Sequence, residues 1–142
     1  MVITNSLYEA NDVYNRLLNY TNKVLFFPMD DFITSEVTDI SPEFVIDRLT
    51  TLNKLLGSGK YIVVTNLMGI LRYLPNTKLY KNKIIDINKD MDIDRDDFIN
   101  KLFDLGYEKK PVVSRTGEMA IRGYVIDIFP IEFDNPIRIE FW

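Results

Sequence analysis

The sequence predicts an α/β protein with an open parallel sheet, followed by part of a smaller β-rich α+β domain. Two observations predict this fold class. Helix and strand patterns alternate through residues 1–90, whereas only strand patterns follow a single helix at 95–105. Strands separated by helices are typical of βαβ units, and short strands joined by turns are typical of antiparallel sheets. We therefore predict two domains, 1–90 and 91–142, with the boundary near residues 88–94.

The first ninety residues contain two well-marked helix starts. Ser6 and Glu9 have the spacing of a capping box. Ser41 and Pro42 mark the second start, because a serine cap and a proline in the first turn both favour a helix. Gly57 ends the second helix. Apolar residues repeat at helical spacing after both starts, at Leu7, Ala10, Tyr14, Leu17, Leu18, Leu49, Leu52, Leu55 and Leu56.

Three strands are predicted in the same half. Residues 24–27 and 61–65 are short apolar runs, typical of parallel strands covered on both faces. Residues 83–87 are predicted as a third strand. A polar connector over 29–40 follows the first strand, and Asn66 is placed to cap a short helix after the second. Three strands are few for an open parallel sheet, so this domain is predicted to be partial.

The second half begins with a helix and continues as strands. Asp94 is predicted to cap the helix at 95–105. The predicted strands and turns are a strand at 112–115, a turn at Thr116-Gly117, a long strand at 118–129 with a bulge or bend at Gly123, a turn at 134–136 and a last strand at 137–142.

Composition excludes several kinds of chemistry. The 142 residues include no cysteine and no histidine, which removes disulfides, Cys/His zinc sites, thiol nucleophiles and imidazole bases. The net charge is −4, which opposes the basic surplus that nucleic-acid binding needs. No apolar run approaches the ~18 residues of a membrane span. We therefore expect a soluble, cytoplasmic protein with no catalytic residues, no metal and no cofactor.

Three motifs suggest chemistry but favour ordinary structure. Residues 57–60, Gly-Ser-Gly-Lys, follow a helix and precede a strand, which inverts the order that a phosphate loop requires. The aspartates within 90–97 lack the glycine and glutamate of an EF-hand, so a helix cap explains them better. Tyrosines and lysines within 73–83 are more typical of a solvated rim than of a stacking surface for single strands.

The last strand carries a more informative pattern. Alternation places Ile137, Ile139 and Phe141 on one face and Arg138, Glu140 and Trp142 on the other. If the apolar face packs on a core, then arginine and tryptophan point outward, and these residue types dominate interface hot spots. Arg122 lies beside the predicted bulge at Gly123. The alternative is that the arginines are ordinary solvated residues and that Trp142 lies in a core.

Two segments carry a resemblance to a known family. Residues 116–130, TGEMAIRGYVIDIFP, with 136–141, PIRIEF, resemble the signature G-E-F-A-x-R-G-G-x-x-D-I-F-P…P-x-R-I-E-F-F of the transcription-repair coupling factors (Mfd). UvrB carries a looser version. Further upstream, the segments that resemble Mfd are 27–32, 41–43, 48–52, 63–66 and 74–75. The phosphate loop expected near the start of UvrB is missing. The resemblance covers nearly the whole chain.

The resemblance implies a fold and a set of partners. Mfd is a bacterial ATP-dependent motor that displaces stalled RNA polymerase and recruits excision repair. Its UvrB-like module combines a degenerate RecA-like domain, without a Walker A motif, with an inserted β-rich domain that binds UvrA. Full-length members use ATP and magnesium, contact RNA polymerase and upstream DNA, and carry a C-terminal domain that masks the UvrA surface. This chain would be a non-catalytic fragment of that module.

The resemblance also implies site residues. The family positions on the UvrA-facing surface correspond to Arg122, Arg138 and Trp142, the last replacing a more usual phenylalanine. The expected function is therefore recruitment of UvrA in transcription-coupled nucleotide excision repair. The alternatives are a UvrB-related, helicase-like fragment that contacts nucleotide, which would need a phosphate loop, or one that contacts DNA, which the charge balance opposes.

Overall fold

A computed structural model describes residues 1–31 and 41–142, so the predicted connector over 29–40 and the end of segment 27–32 lie largely outside the described residues. The chain divides into two compact units, which are described separately. The N-terminal unit is Met1–Leu74 and the C-terminal unit is Pro75–Trp142. The predicted combination of a parallel sheet with helices and a β-rich second part is confirmed at this level.

The N-terminal unit is a parallel three-stranded sheet with helices. Its strands lie in the order β1-β3-β2, and both neighbouring pairs are parallel. The elements are β1 (Val2–Thr4), α1 (Leu7–Leu18), β2 (Val24–Phe27), α2 (Pro42–Leu55), β3 (Ile62–Asn66) and α3 (Leu67–Ile70). Residues 57–60 connect α2 to β3, which confirms the prediction of an ordinary helix-to-strand turn.

Helix α1 begins as the capping box predicts. The Ser6 hydroxyl accepts the Glu9 N–H, and the Glu9 carboxylate accepts the N–H of Asn5 rather than that of Ser6. The apolar stripe of α1 packs on a core formed by the sheet, and the ring of Tyr14 stacks on Phe26 with centroids 4.8 Å apart. The buried members of this core are Ala10, Val24, Phe26 and Val64.

The prediction of a strand at 83–87 is wrong. The third strand of the parallel sheet is β1, Val2–Thr4, which pairs with β3. The segment 83–87 forms no strand: Ile85 packs against the core of the C-terminal unit, while Ile84 and Ile87 are exposed. A short β-branched run is compatible with any extended segment, so tertiary packing decided which run joined the sheet.

The C-terminal unit is built on a mixed four-stranded sheet. Its strand order is β4-β5-β6-β7, with β4 parallel to β5 and the other pairs antiparallel. The elements are α4 (Thr77–Lys81), α5 (Arg95–Asp104), β4 (Glu108–Lys109), β5 (Glu118–Arg122), β6 (Val125–Ile128) and β7 (Ile137–Glu140). Helix α5 covers one face of the sheet, and the buried core consists of Phe98, Leu102, Met119, Ile126 and Ile128.

The cap of α5 is confirmed. The Asp94 carboxylate accepts the N–H groups of Asp96 and Asp97, each at 2.9 Å. The run of aspartates therefore serves the helix start, where acceptors and negative charge are both favourable.

Two strand predictions in this unit are wrong. Residues 112–115 form no strand, and the predicted long strand at 118–129 is a hairpin whose turn is Gly123-Tyr124. Gly123 has φ +58, as in a type II′ turn, which takes glycine at its first central position. The predicted turn at Thr116-Gly117 is confirmed, and the last strand ends at Glu140 rather than 142.

The division between the units falls earlier than the predicted boundary near residues 88–94. Ile85 and Ile93 both pack against the core of the C-terminal unit, so the residues before α5 belong with it. Among the described residues, no helix combines the length and the apolar character that crossing a bilayer requires.

Candidate functional site

Strand register gathers charged side chains on one face of the C-terminal sheet. Asp127 lies opposite Arg138, and Arg122 lies in the next row, opposite Val125. The other face packs on the core through residues such as Ile126 and Ile139. We call the face that carries Arg122, Asp127, Arg138 and Glu140 the outer face.

Asp127 joins the two arginines. Its carboxylate accepts Arg138 Nε at 2.7 Å and Arg138 Nη2 at 3.0 Å, a bidentate pair. The same carboxylate accepts Arg122 Nη1 at 3.0 Å. Both guanidinium groups are half exposed, whereas the Asp127 side chain is 14% exposed. One carboxylate therefore holds two outward-facing cations side by side.

Asp127 and the arginines beside it stabilise one another's charges. The Arg138 hydrogen bond, with help from the charges of both arginines, lowers the pKa of Asp127 below its ordinary value. The same contact raises the pKa of Arg138. All three groups are charged near neutral pH, which leaves one net positive charge on two guanidinium groups and one carboxylate. The positive charge of the two arginines is thus partly neutralised.

Arg122 is fixed by a second acceptor. Its Nη2 donates to the carbonyl oxygen of Pro111 at 2.8 Å. The segment that carries Pro111 is itself anchored, because the buried Glu118 carboxylate accepts the N–H groups of Ser114 and Arg115 and the Ser114 hydroxyl. These bonds, with the Ser114 N–H foremost, lower the pKa of Glu118 to about 2.

Trp142 lies just beyond β7 and is fully exposed. Within the described residues it makes no ring stacking contact. Trp142 belongs to neither of the two cores of the described residues. Of the three predicted site residues, the structure brings Arg122 and Arg138 together through Asp127. Trp142 is exposed two residues beyond the end of β7, the strand that carries Arg138.

Sequence analysis missed Asp127. The predicted continuous strand through Gly123 hides the register that places Asp127 against Arg138. Recognising residues 122–125, Arg-Gly-Tyr-Val, as a hairpin with a two-residue turn would have revealed it, because glycine followed by any residue is a turn signal between apolar runs.

The N-terminal unit holds a second polar cluster, at the carboxyl ends of its strands. The two Asp31 oxygens accept the Leu7 N–H at 2.8 and 2.9 Å, and one also accepts the Asn66 side-chain amide at 2.8 Å. The same amide donates to the Met29 carbonyl oxygen. The Asn66 side chain therefore binds Met29 and Asp31. It does not cap α3, so that prediction is wrong. An aspartate thus occupies the amino end of α1, where anions are favoured.

The outer face lies in a segment that matches a described family. Residues 85–142 match the UvrB interaction domain family. This segment includes helix α5, all four strands of the mixed sheet and every residue of the outer face. Residues 85–142 therefore belong to the UvrB interaction domains.

Comparison of the whole chain extends this assignment. The chain is 36% identical to the transcription-repair-coupling factor of Staphylococcus haemolyticus (strain JCSC1435) and 37% identical to that of Bacillus subtilis (strain 168). These matches cover 99% and 98% of the chain. It therefore belongs, by sequence, to the transcription-repair-coupling factor family, which confirms the resemblance. The chain spans 12% of the length of these relatives.

Proposed function

We propose that this chain is a docking module for UvrA in transcription-coupled nucleotide excision repair. The observation that carries the proposal is the outer face, where Asp127 holds Arg122 and Arg138 side by side in the segment that matches the UvrB interaction domain. The family name points to a protein interface. The paired arginines supply guanidinium groups that can donate hydrogen bonds to carboxylates of a partner protein.

The outer face suits a partner with acidic groups. Arg138 uses Nε and Nη2 on Asp127, and its Nη1 makes no hydrogen bond within the described residues. A planar guanidinium fixed on one edge can still present its remaining N–H groups to a carboxylate of the partner. Because Asp127 holds both arginines before binding, less side-chain entropy is lost when the complex forms.

Trp142 supplies the apolar part of the proposed contact. Trp142 is fully exposed and lies four residues after Arg138 in the sequence. Tryptophan and arginine contribute most of the affinity at interface hot spots. Substitution of the family phenylalanine by tryptophan keeps a flat apolar surface. We therefore place Arg122, Arg138 and Trp142 in one docking site for UvrA.

The N-terminal unit is proposed to be a partial, degenerate RecA-like domain that supports docking without catalysis. In a nucleotide-binding βα unit, the first helix start receives phosphate. Here the Asp31 carboxylate lies on the first N–H of α1, so a phosphate would meet a negative charge. This contact disfavours the alternative of a helicase-like fragment that contacts nucleotide. We propose that the fragment itself uses no cofactor.

The longer relatives suggest the setting in which docking occurs. We propose that a full-length protein of this family, using ATP and magnesium, contacts RNA polymerase and upstream DNA in the bacterial cytoplasm. We also propose that its C-terminal domain masks the outer face. A protein consisting of residues 1–142 alone should therefore bind UvrA in the absence of ATP.

Calorimetric titration of UvrA without ATP tests the proposal. The wild-type chain should bind, and the double variant Arg122→Ala/Arg138→Ala should bind at least roughly thirtyfold more weakly, since loss of even one hot-spot arginine costs about 2 kcal/mol or more. Trp142→Ala should weaken binding in the same direction.

A matched control removes two positive charges elsewhere in the same unit. Lys101 and Lys109 are exposed and lie away from the outer face. Lys101→Ala/Lys109→Ala should therefore bind like the wild type. Equal binding by the wild type and the double arginine variant would contradict the site assignment. The absence of any wild-type binding would contradict the function.

A further inference from the structure

Residues 110–115 lie against the outer face, and we call this segment the strap. Glu118 and Arg122 lie on the same face of β5, because side chains alternate between the two faces of a strand. The strap forms hydrogen bonds with both of these residues. Ala120, which lies between them on that face, is 2% exposed. The strap therefore lies directly beside the surface that carries the paired arginines.

One end of the strap is held by the Glu118 carboxylate. Its Oε2 accepts the Ser114 N–H at 2.8 Å, the Ser114 hydroxyl at 2.9 Å and the Arg115 N–H at 3.1 Å. Its Oε1 accepts Arg115 Nε at 3.2 Å. The Glu118 side chain is 8% exposed, so water has little access to compete for these donors. Because hydrogen bonds to a carboxylate are stronger than those between neutral groups, Glu118 fixes the backbone of this end.

The other end of the strap contacts Arg122. The Arg122 Nη2 group donates to the Pro111 carbonyl oxygen at 2.8 Å, and its Nη1 group donates to Asp127 at 3.0 Å. These two acceptors lie on different segments, the strap and β6. The guanidinium group therefore cannot rotate without breaking a hydrogen bond. The position of the strap thus sets the direction in which Arg122 presents its remaining N–H groups.

We propose that Glu118 is a positioning residue for UvrA docking, because it holds the strap and thereby keeps the Pro111 carbonyl oxygen in place for Arg122. The inference rests on the proposed function, since it concerns how one of the proposed docking arginines is oriented. Glu118 acts without touching the partner, because both of its carboxylate oxygens bind donors of the strap. An arginine that is ordered before binding loses less side-chain entropy when the complex forms.

Calorimetric titration of UvrA without ATP tests the inference with variants of Glu118. Glu118→Met keeps the length of the side chain and removes both acceptor oxygens, so the strap should loosen. UvrA affinity should then fall roughly two- to tenfold, the range expected when one more side chain must be ordered on binding. Glu118→Gln keeps one acceptor oxygen and should retain most of the affinity. Asp104→Asn, at an exposed position of α5, is the control for the lost negative charge and should bind like the wild type.

A double-mutant cycle separates positioning from a general structural effect. If Glu118 acts through Arg122, then Glu118→Met should cause no further loss of affinity in an Arg122→Ala chain. In an Arg138→Ala chain it should cause the same loss as in the wild type, because Asp127, not the strap, orients Arg138. Equal losses in both backgrounds would overturn the inference, since they would show that the strap acts independently of Arg122.

A measurement on the free chain tests the positioning of Arg122 without UvrA. The two hydrogen bonds of the Arg122 guanidinium should slow its rotation, and nitrogen NMR measures that rate. Rotation should be faster in Glu118→Met than in the wild type, with Arg122→Lys used to identify the signal. Equal rates would overturn the inference. If far-ultraviolet circular dichroism shows that Glu118→Met is unfolded, Ser114→Ala, which removes only the hydroxyl bond, gives the same comparison with a smaller expected change.

The results distinguish the inference from the proposed function. Wild-type binding that Glu118→Met leaves unchanged would overturn the inference and leave the docking function intact. Absence of wild-type binding would contradict the proposed function and the inference with it. Weaker binding by Glu118→Met that depends on Arg122, together with faster rotation of the guanidinium group, would support both.

Discussion

Two aspartates, one in each unit, show how the same side chain serves opposite purposes. Asp31 accepts a backbone N–H of α1 and the side-chain amide of Asn66, which is fully buried. Asp127 accepts two guanidinium groups that remain half exposed. Asp31 satisfies donors within the fold, whereas Asp127 positions donors for use outside it. Asp31 therefore contributes to the stability of its unit, whereas Asp127 orients exposed side chains for binding.

The largest loss of stability is expected from a cavity in the core that lies beneath the outer face. Phe98 is 1% exposed and its ring lies 5.9 Å from that of Phe141, measured between centroids. Phe98→Ala should lower the free energy of unfolding by about 3–5 kcal/mol, because the cavity left behind collapses only partly. UvrA binding should weaken with it. Urea denaturation followed by fluorescence, with a UvrA titration, measures both.

Val64→Ala is the matched change in the core of the N-terminal unit, where Val64 is fully buried. It should lower stability while leaving UvrA affinity unchanged under conditions that keep the chain folded. Loss of UvrA affinity with Val64→Ala but not with Phe98→Ala would reverse the roles assigned to the two units.

Removal of the Asp31 carboxylate should lower the stability of the chain less than Phe98→Ala does. Asp31→Ala leaves the Leu7 N–H without its acceptor and removes one partner of the Asn66 amide. An unpaired buried polar group costs about 1–3 kcal/mol, so the denaturation midpoint should fall accordingly. Asp31→Asn, which keeps an acceptor oxygen, should cost less. UvrA affinity that fell in parallel would show that Asp31 also supports the docking surface.

Acid should weaken the anchor of the segment beside Arg122. The folded-state pKa of Glu118, about 2, lies below the ordinary value of 4.5. The stability that Glu118 contributes is therefore fully present above about pH 4.5 and is lost as pH falls toward about 2. Thermal melting from pH 6 to pH 2 should show this loss in the wild type and a flatter profile in Glu118→Gln. Parallel profiles would contradict the role of Glu118.

The smallest expected change in stability comes from Asp127→Asn. The ion pairs of Asp127 are with half-exposed arginines, and such pairs contribute about 1 kcal/mol or less. UvrA affinity should nevertheless fall roughly tenfold, because the arginines lose the group that orders them before binding. Calorimetry measures the affinity. Tighter binding by this variant would show that charge, rather than positioning, dominates the interface.

The sequence predicts the parts of the fold that local chemistry determines. The starts of α1 and α5 were predictable because Ser6 and Asp94 accept backbone N–H groups within their own helices. The predicted strand at 83–87 failed because an apolar segment can join a sheet or cover a core, and only long-range packing decides between them. Likewise, β1 is three residues long and gives little periodic signal.

The candidate site was predictable in part for the same reason. Alternation along 137–142 correctly placed Arg138 outward, and the family signature supplied Arg122. Asp127 escaped prediction because its role depends on a cross-strand register, which in turn depends on the turn at Gly123. A residue whose partners lie on two other strands cannot be identified from the pattern of its own strand.

Hydrogen exchange of the chain with and without UvrA tests the central claim most directly. If the outer face docks UvrA, then added UvrA should slow exchange in peptides covering 120–128 and 136–142 and leave those covering β2 and β3 unchanged. Slower exchange confined to residues 1–74, or no change in any peptide at saturating UvrA, would contradict the claim.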